Sequence, residues 1–226
     1  MIVNRLTNLY LVFYLLIAFS CIYLGDAVAQ NSNEEYEVIA KKLAVPWSLV
    51  FLPDQNILVT ERPGRVRLID KNKGLIEQPV HTVNQVAARG EGGLLGIALD
   101  PNFQNNRFVY LYYTYEADSK LLNKVVRFEY KNNQFINEKV IVDNIPGSSI
   151  HNGGRIKFGP DGYLYIGTGD GAEPALAQNK NSLGGKILRV KDDKIEIYSY
   201  GHRNIQGLAW DDRGHLWGNG TWTKSL

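Results

Sequence analysis

One pattern recurs along this chain and limits its fold more than any other feature. An apolar run, a turn built on Asp with Pro or Gly, and a second apolar run appear as "WSLVFLPDQNILVT", "LLGIALDPNFQNNRFVYLYYTY", "GRIKFGPDGYLYIGTGD" and "QGLAWDDRGHLW". The repeats are spaced by roughly 50 residues, the period of propeller blades rather than of helical solenoids. Within "RVRLID" and "YLYIGT" alternate residues would face opposite sides of a sheet. Pro160-Asp161-Gly162 is a turn with a mechanism, because Pro presets φ and Gly accepts a positive one. No long 3.6-residue apolar period occurs after Gln30, and "EPALAQNKNSLGGK" has room for one short helical turn. A β-sandwich also uses short strands with regular turns. The repeat at blade spacing favours an all-β propeller, with about four blades in this chain. The last stretch, "NGTWTKSL", offers no strand expected to pair back to the N-terminus.

Composition agrees and excludes several functions. The chain has 13 Tyr, 4 Trp and 22 Gly, a mixture of aromatic strands and glycine turns. Its formal charge is only +2 and no Lys/Arg-rich run stands out, so no nucleic-acid partner is expected. Residues 1–29 read as a secretory signal peptide. "MIVNRLTN" carries a positive charge, "LYLVFYLLIAFSCIYLG" is apolar, and Ala27-Val28-Ala29 is a small-x-small cleavage site. An uncleaved membrane anchor is the alternative, since about 17 apolar residues reach the lower limit for spanning a bilayer. Export to a periplasmic or extracellular space is expected. The only cysteine, Cys21, lies in that segment, so a mature chain has no thiol chemistry. Residues 30–44 form a polar leader, and 45–226 form a partial propeller domain.

Three clusters could carry chemistry. In "SSIHNGGRIKFGPDGYLYIGTGDGAEP", His151 precedes a strand over Arg155–Phe158, and Tyr163–Thr168 returns the chain to Asp170. An antiparallel pair puts those ends at one edge, where a carboxylate fixes the imidazole tautomer for work as a general base. A solvated loop histidine near a turn aspartate fits the same spacing. In "YSYGHRNIQGLAW", Arg203 and Asn204 offer a fork and an amide suited to a planar, multiply carboxylated ligand, or merely an ion pair in a connecting loop. Glu91, among the glycines of "ARGEGGLLGIALDPNF", precedes a buried strand where a ligand could approach the backbone, or caps a tight turn. "GEGGLLG" and "GGKILRV" have neither the spacing nor the following helix of a phosphate loop.

Taken in order, "GEGGLLGIALDPNF", "HNGGRIKFGPDGYLYIGTGD", "NSLGGKILRV" and "YGHRNIQGLAW" resemble the glucose/sorbosone dehydrogenase family. That family includes soluble quinoprotein aldose sugar dehydrogenases with six-bladed propellers. The resemblance implies oxidation of an aldose to its lactone, with pyrroloquinoline quinone (PQQ) and calcium at one end of the axis and an external electron acceptor. His151 would be the general base and Asp170 the carboxylate that orients it, while Arg203, Asn204 and Glu91 would contact the cofactor. Glu91 stands where the glucose dehydrogenases have Gln. Ile205 replaces the usual Pro after the Arg-Asn pair, a change expected to loosen that loop. Beyond "LW" the family continues with a Glu-(His/Gln)-Gly-Pro motif holding calcium and a Lys/Arg clamp for PQQ; this chain reads "GNGTWTKSL". The chain by itself is therefore expected to be incomplete or inactive as an enzyme. The alternative is a propeller-derived protein that binds a carbohydrate or partner without redox chemistry.

Overall fold

The computed structural model describes residues 37–222, so the signal segment 1–29, with Cys21, lies outside the described residues. The compact unit begins at Ile39 and holds four antiparallel sheets. The first contains β1 (Pro46–Phe51), β2 (Ile57–Glu61), β3 (Arg65–Asp70) and β4 (Gly74–Leu75) in that order, with β5 (His81–Thr82) also on β3. The second runs β6 (Leu94–Leu99), β7 (Phe108–Ala117), β8 (Lys120–Lys131), β9 (Gln134–Pro146). The third runs β10 (Gly153–Phe158), β11 (Leu164–Thr168), β12 (Lys186–Lys191), β13 (Lys194–Tyr200). The fourth has two strands among the described residues, β14 (His202–Trp210) and β15 (Leu216–Trp222). Two short helices interrupt the sheets, α1 (Phe103–Asn106) and α2 (Pro174–Gln178), the second within the stretch expected to hold a helical turn.

The repeated turn explains the repeated hairpin. After the first strand of each sheet an aspartate folds its carboxylate back onto the backbone. Asp54 accepts from the Asn56 N–H, Asp100 from Asn102, Asp161 from Tyr163, and Asp211 from both Arg213 and His215. Each such bond imitates a backbone turn and sets where the next strand starts.

Successive sheets stack face to face, which is the propeller arrangement. β7 shows how the pattern specifies this. Its residues Val109, Leu111 and Tyr113 pack with Leu58, Val66 and Leu68 of the first sheet. Tyr110 and Tyr112, on the opposite face, pack with Ile156, Leu164 and Ile166 of the third. A strand covered on both faces reads as a continuous apolar run, hence "FVYLYYTY". Full burial of each such side chain is worth about 1.5–3 kcal/mol. Tyr165 and Ile187 meet Ile205 and Leu208 of the fourth sheet in the same manner.

The first strands β1, β6, β10 and β14 lie side by side around the axis. "GNGTW" is strand, since β15 reaches Trp222; it pairs with β14 and, as expected, not with the N-terminal strands. One local expectation changes. Ile205 does not loosen a loop: it lies within β14, opposite Gly220, and only 4% of it is exposed.

Candidate active site

The N-terminal ends of those axial strands bring the three clusters together. His151 ends the connection from β9 to β10, and its backbone is held at φ +56°, in the left-handed region. Such a conformation persists only where surroundings impose it. Here three contacts do so. The His151 N–H donates to Glu91 Oε2 (2.9 Å), the His151 carbonyl accepts from the Gly171 N–H (3.1 Å), and Asn152 is buried in its own network. Asn152 Oδ1 accepts from Asn123 Nδ2 (3.2 Å), and the Asn152 carbonyl accepts from the Tyr112 hydroxyl (2.7 Å). Burial pushes that phenol far above its usual range, so it stays a neutral donor.

The side chains form a relay. His151 Nδ1 lies 2.9 Å from Asp170 Oδ1, with the aspartate side chain fully buried and the imidazole 14% exposed. An ionised carboxylate only accepts, so Nδ1 carries the proton and Nε2 presents its lone pair. Arg203 Nε donates to that Nε2 at 3.3 Å. Asp170 Oδ1 also accepts from the Ala172 N–H (3.0 Å), while Oδ2 is buried without a partner. A buried carboxylate oxygen left unpaired costs about 1–3 kcal/mol or more, an expense usually seen where a site needs the group.

Close backbone contact makes the dyad. A Cβ on Gly169 would lie 1.7 Å from the His151 carbonyl oxygen, so only glycine lets these segments meet. Gly169 also bridges to Asn204, and the Asp170 N–H donates to the Arg203 carbonyl (2.8 Å). Arg203 and Asn204 are thus residues of β14 itself, not of a connecting loop. Asn204 Oδ1 accepts from the Gly153 N–H (2.8 Å) and from Gln206 Nε2 (3.1 Å), knitting the third and fourth sheets. His202 is no rival base. Burial first, then the Lys186 ammonium, hold it below the usual imidazole range, and its Nε2 faces Ser199 Oγ at 2.8 Å.

Beside the relay lies a cavity of about 270 Å³, walled by Trp47, Arg62, Glu91, Leu95, Asn204 and Gln206 among others. It contains two of the expected cofactor contacts, Glu91 and Asn204, together with residues no motif had singled out. The signal for Arg62 was weak: it stands in "VTERPGRV", where a neighbouring Glu61 and a further arginine, Arg65, obscure it.

The sequence pattern of the glucose/sorbosone dehydrogenase family matches residues 43–221. The chain belongs to that family. A structure of the PQQ-bound aldose sugar dehydrogenase of Streptomyces coelicolor is 40% identical with a TM-score of 0.74, over 80% of this chain and 58% of that one. The aldose sugar dehydrogenase of Escherichia coli is 33% identical, over 86% of this chain and 57% of that protein. Quinoprotein glucose dehydrogenase B of Acinetobacter calcoaceticus is 30% identical, over 84% of this chain and 48% of that protein. The chain thus spans about half the length of these curated relatives.

The residues present fit a carboxylated quinone. The cavity is lined by the Arg62 guanidinium and the amides of Asn152, Asn204 and Gln206, with the Glu91 carboxylate among them. Calcium is not met in the same way: among the described residues no group of three or more His, Cys, Asp or Glu side chains is placed to hold a metal ion.

Proposed function

We propose that the chain carries the base and part of the cofactor site of an exported PQQ-dependent aldose dehydrogenase, which oxidises the anomeric carbon to a lactone. The observation that supports this most is the relay Asp170–His151, which leaves the Nε2 lone pair facing Arg203. Bound PQQ would supply the acceptor for the hydride that leaves C1 of the sugar. Arg203 and Asn204 would hold the cofactor's polar edge, the fork to a carboxylate and the amide to a carbonyl. His151 Nε2 takes the proton of the anomeric hydroxyl. Asp170 keeps the opposite nitrogen protonated and balances the imidazolium that forms. Arg203 must leave Nε2 for the sugar to reach it. Glu91 contributes by fixing the His151 backbone, whatever further contact it makes. Calcium enters this reading through the family likeness alone, and no step is assigned to it.

A specific observation favours a second reading, a propeller that binds carbohydrate without redox chemistry: Arg203 caps the lone pair a base needs. One experiment separates the two. This chain is grafted in place of the matching segment of a full-length relative and incubated with PQQ, an aldose is added, and reduction of an artificial dye is followed alongside the cofactor's absorbance. Sugar-dependent reduction supports the dehydrogenase. Bound PQQ that no aldose reduces would overturn it.

A further inference from the structure

We propose that Arg62, supplied by the first sheet, is a carboxylate-binding residue of the cofactor site, in the cavity that Asn204 and Gln206 of the fourth sheet also line. The inference rests on the PQQ reading above and adds a binding residue to it. Arg62 directly follows β2, and its backbone is held on both sides. Its N–H donates to the Val45 carbonyl (3.0 Å), and its carbonyl accepts from the Leu94 N–H (2.9 Å). Gly93 presses against it so closely that a Cβ there would come within 2.5 Å of Arg62 Cγ. The side chain packs over Gly93 and lines the 270 Å³ cavity, as do Asn204 and Gln206.

The partners of the neighbouring arginines sharpen the argument. Arg155, further along the axis, is satisfied within the protein: Nη1 donates to Ser48 Oγ (2.9 Å), Nε to the Gln206 carbonyl (3.0 Å), and the guanidinium lies 4.5 Å from the Trp47 ring centre. Arg67 also has a buried, unpaired Nε, but Glu61 and the carbonyls of Ile76 and Glu77 take its other nitrogens. Arg127 has one too, yet it lies 3.9 Å over the Phe108 ring, in a groove between the second and third sheets at the opposite end of the strands. Arg62 alone of these three lines the cavity beside the dyad. The carboxylate sharing that wall, Glu91, is engaged by the His151 N–H. A guanidinium on the wall of a cavity with amide donors suits an anionic, planar acceptor, and a quinone carboxylate provides one.

The test measures PQQ binding to the apo-chain by equilibrium dialysis, with PQQ trimethyl ester as the probe whose carboxylates are masked. Arg62→Gln is expected to weaken PQQ binding about 10- to 100-fold, the worth of a charge-assisted pair, and to leave binding of the ester unchanged. Arg62→Lys keeps the charge and loses the fork, so its loss should be roughly threefold or more for PQQ and none for the ester. If Arg62→Gln does not fold, the Lys variant carries the test by the same difference between the probes. Unchanged PQQ affinity, or equal losses for both probes, overturns the role of Arg62. If Arg203→Gln still abolishes PQQ binding in that case, the PQQ reading stands without Arg62. A wild-type chain that binds neither probe overturns both.

Discussion

The third sheet carries the His151–Asp170 dyad and the fourth the Arg203 that covers it, and the two are built very differently. The third has four strands, both faces covered, and the dyad locked into it by buried backbone contacts. The fourth has two strands among the described residues, with Trp217 65% exposed on it, beside Tyr198 (47%) and Tyr200 (46%) of β13. His151 and Asp170 therefore sit on rigid ground, whereas the Arg203 side chain is exposed. That division suits the proposed chemistry. A base must not wander, since a misplacement of about 1 Å can cost 100-fold. The cation covering it has to swing aside when a substrate arrives.

The largest effect should come from the rigid half. In a full-length relative, the change matching His151→Gln is expected to lower dye-linked aldose oxidation by about 10²–10⁴-fold, with PQQ affinity retained, as befits loss of a general base. Undiminished turnover would remove His151 from the mechanism and make the buried dyad a structural feature. Asp170→Asn should cost less, because partners that orient a working imidazole are typically worth about 10- to 100-fold.

Next come two glycines, one per sheet. Gly169→Ala must displace the His151 carbonyl, which backbone cannot yield cheaply, so we expect a loss of about 3 kcal/mol or more in urea unfolding. For Gly218→Ala in β15 the nearest atom to the new Cβ is Ile187 Cδ1 at 3.6 Å, an ordinary contact, and the change should stay within about 0.5 kcal/mol. Equal costs would show that the two sheets are equally constrained.

Much of the rigid half was legible in advance. Period-two alternation and the turn aspartates locate the strands, and the hairpin from Arg155 to Thr168 forces His151 and Asp170 to one edge, whatever the family. The Asn152–Asn123 and Asn152–Tyr112 bonds that hold the base were not legible, because they join residues 29 and 40 positions apart in different sheets. Glu91 was singled out as a cofactor contact, and the bond it makes within the chain is with the His151 backbone. Its carboxylate receives a backbone N–H, which no side-chain motif encodes. Arg62 was missed for a similar reason: what distinguishes it is the Gly93 contact, 31 positions along the chain, and an unfilled hydrogen bond. The extent of β15 was underestimated, since Gly218 and Gly220 mask its alternation.

A smaller effect tests how the third sheet grips its helix. Lys186 is fully buried at the start of β12, and its ammonium donates to the carbonyls of Leu176, Ala177 and Gly184. Burial lowers its pKa from 10.5 to about 8. The unfolded chain then holds the proton more tightly than the fold does. Stability from this group is complete above the unfolded value near 10.5 and is lost as pH falls through about 8. Urea midpoints of the wild type should accordingly rise between pH 7.5 and about 9.5 relative to those of Lys186→Met, which has nothing to titrate there. Parallel pH profiles would mean that the three carbonyls hold the proton as firmly as water does.

The smallest effect on stability, but a clear one on association, should come from the open half. β15 pairs with β14 on one side, and among the described residues no strand pairs with its other edge. An unpaired edge flanked by exposed aromatics is a template for other chains. Trp217 is largely in solvent, so Trp217→Lys removes little packing and should leave the urea midpoint within about 0.5 kcal/mol of wild type. A lysine near an open edge also opposes strand addition. We therefore expect the wild-type chain to gain apparent mass with concentration in light scattering, and the lysine variant to gain markedly less. A wild-type chain that stays monomeric at every concentration would show that the fourth sheet is as well protected as the third, and the contrast between the two halves would then lie only in how firmly each holds its side chains.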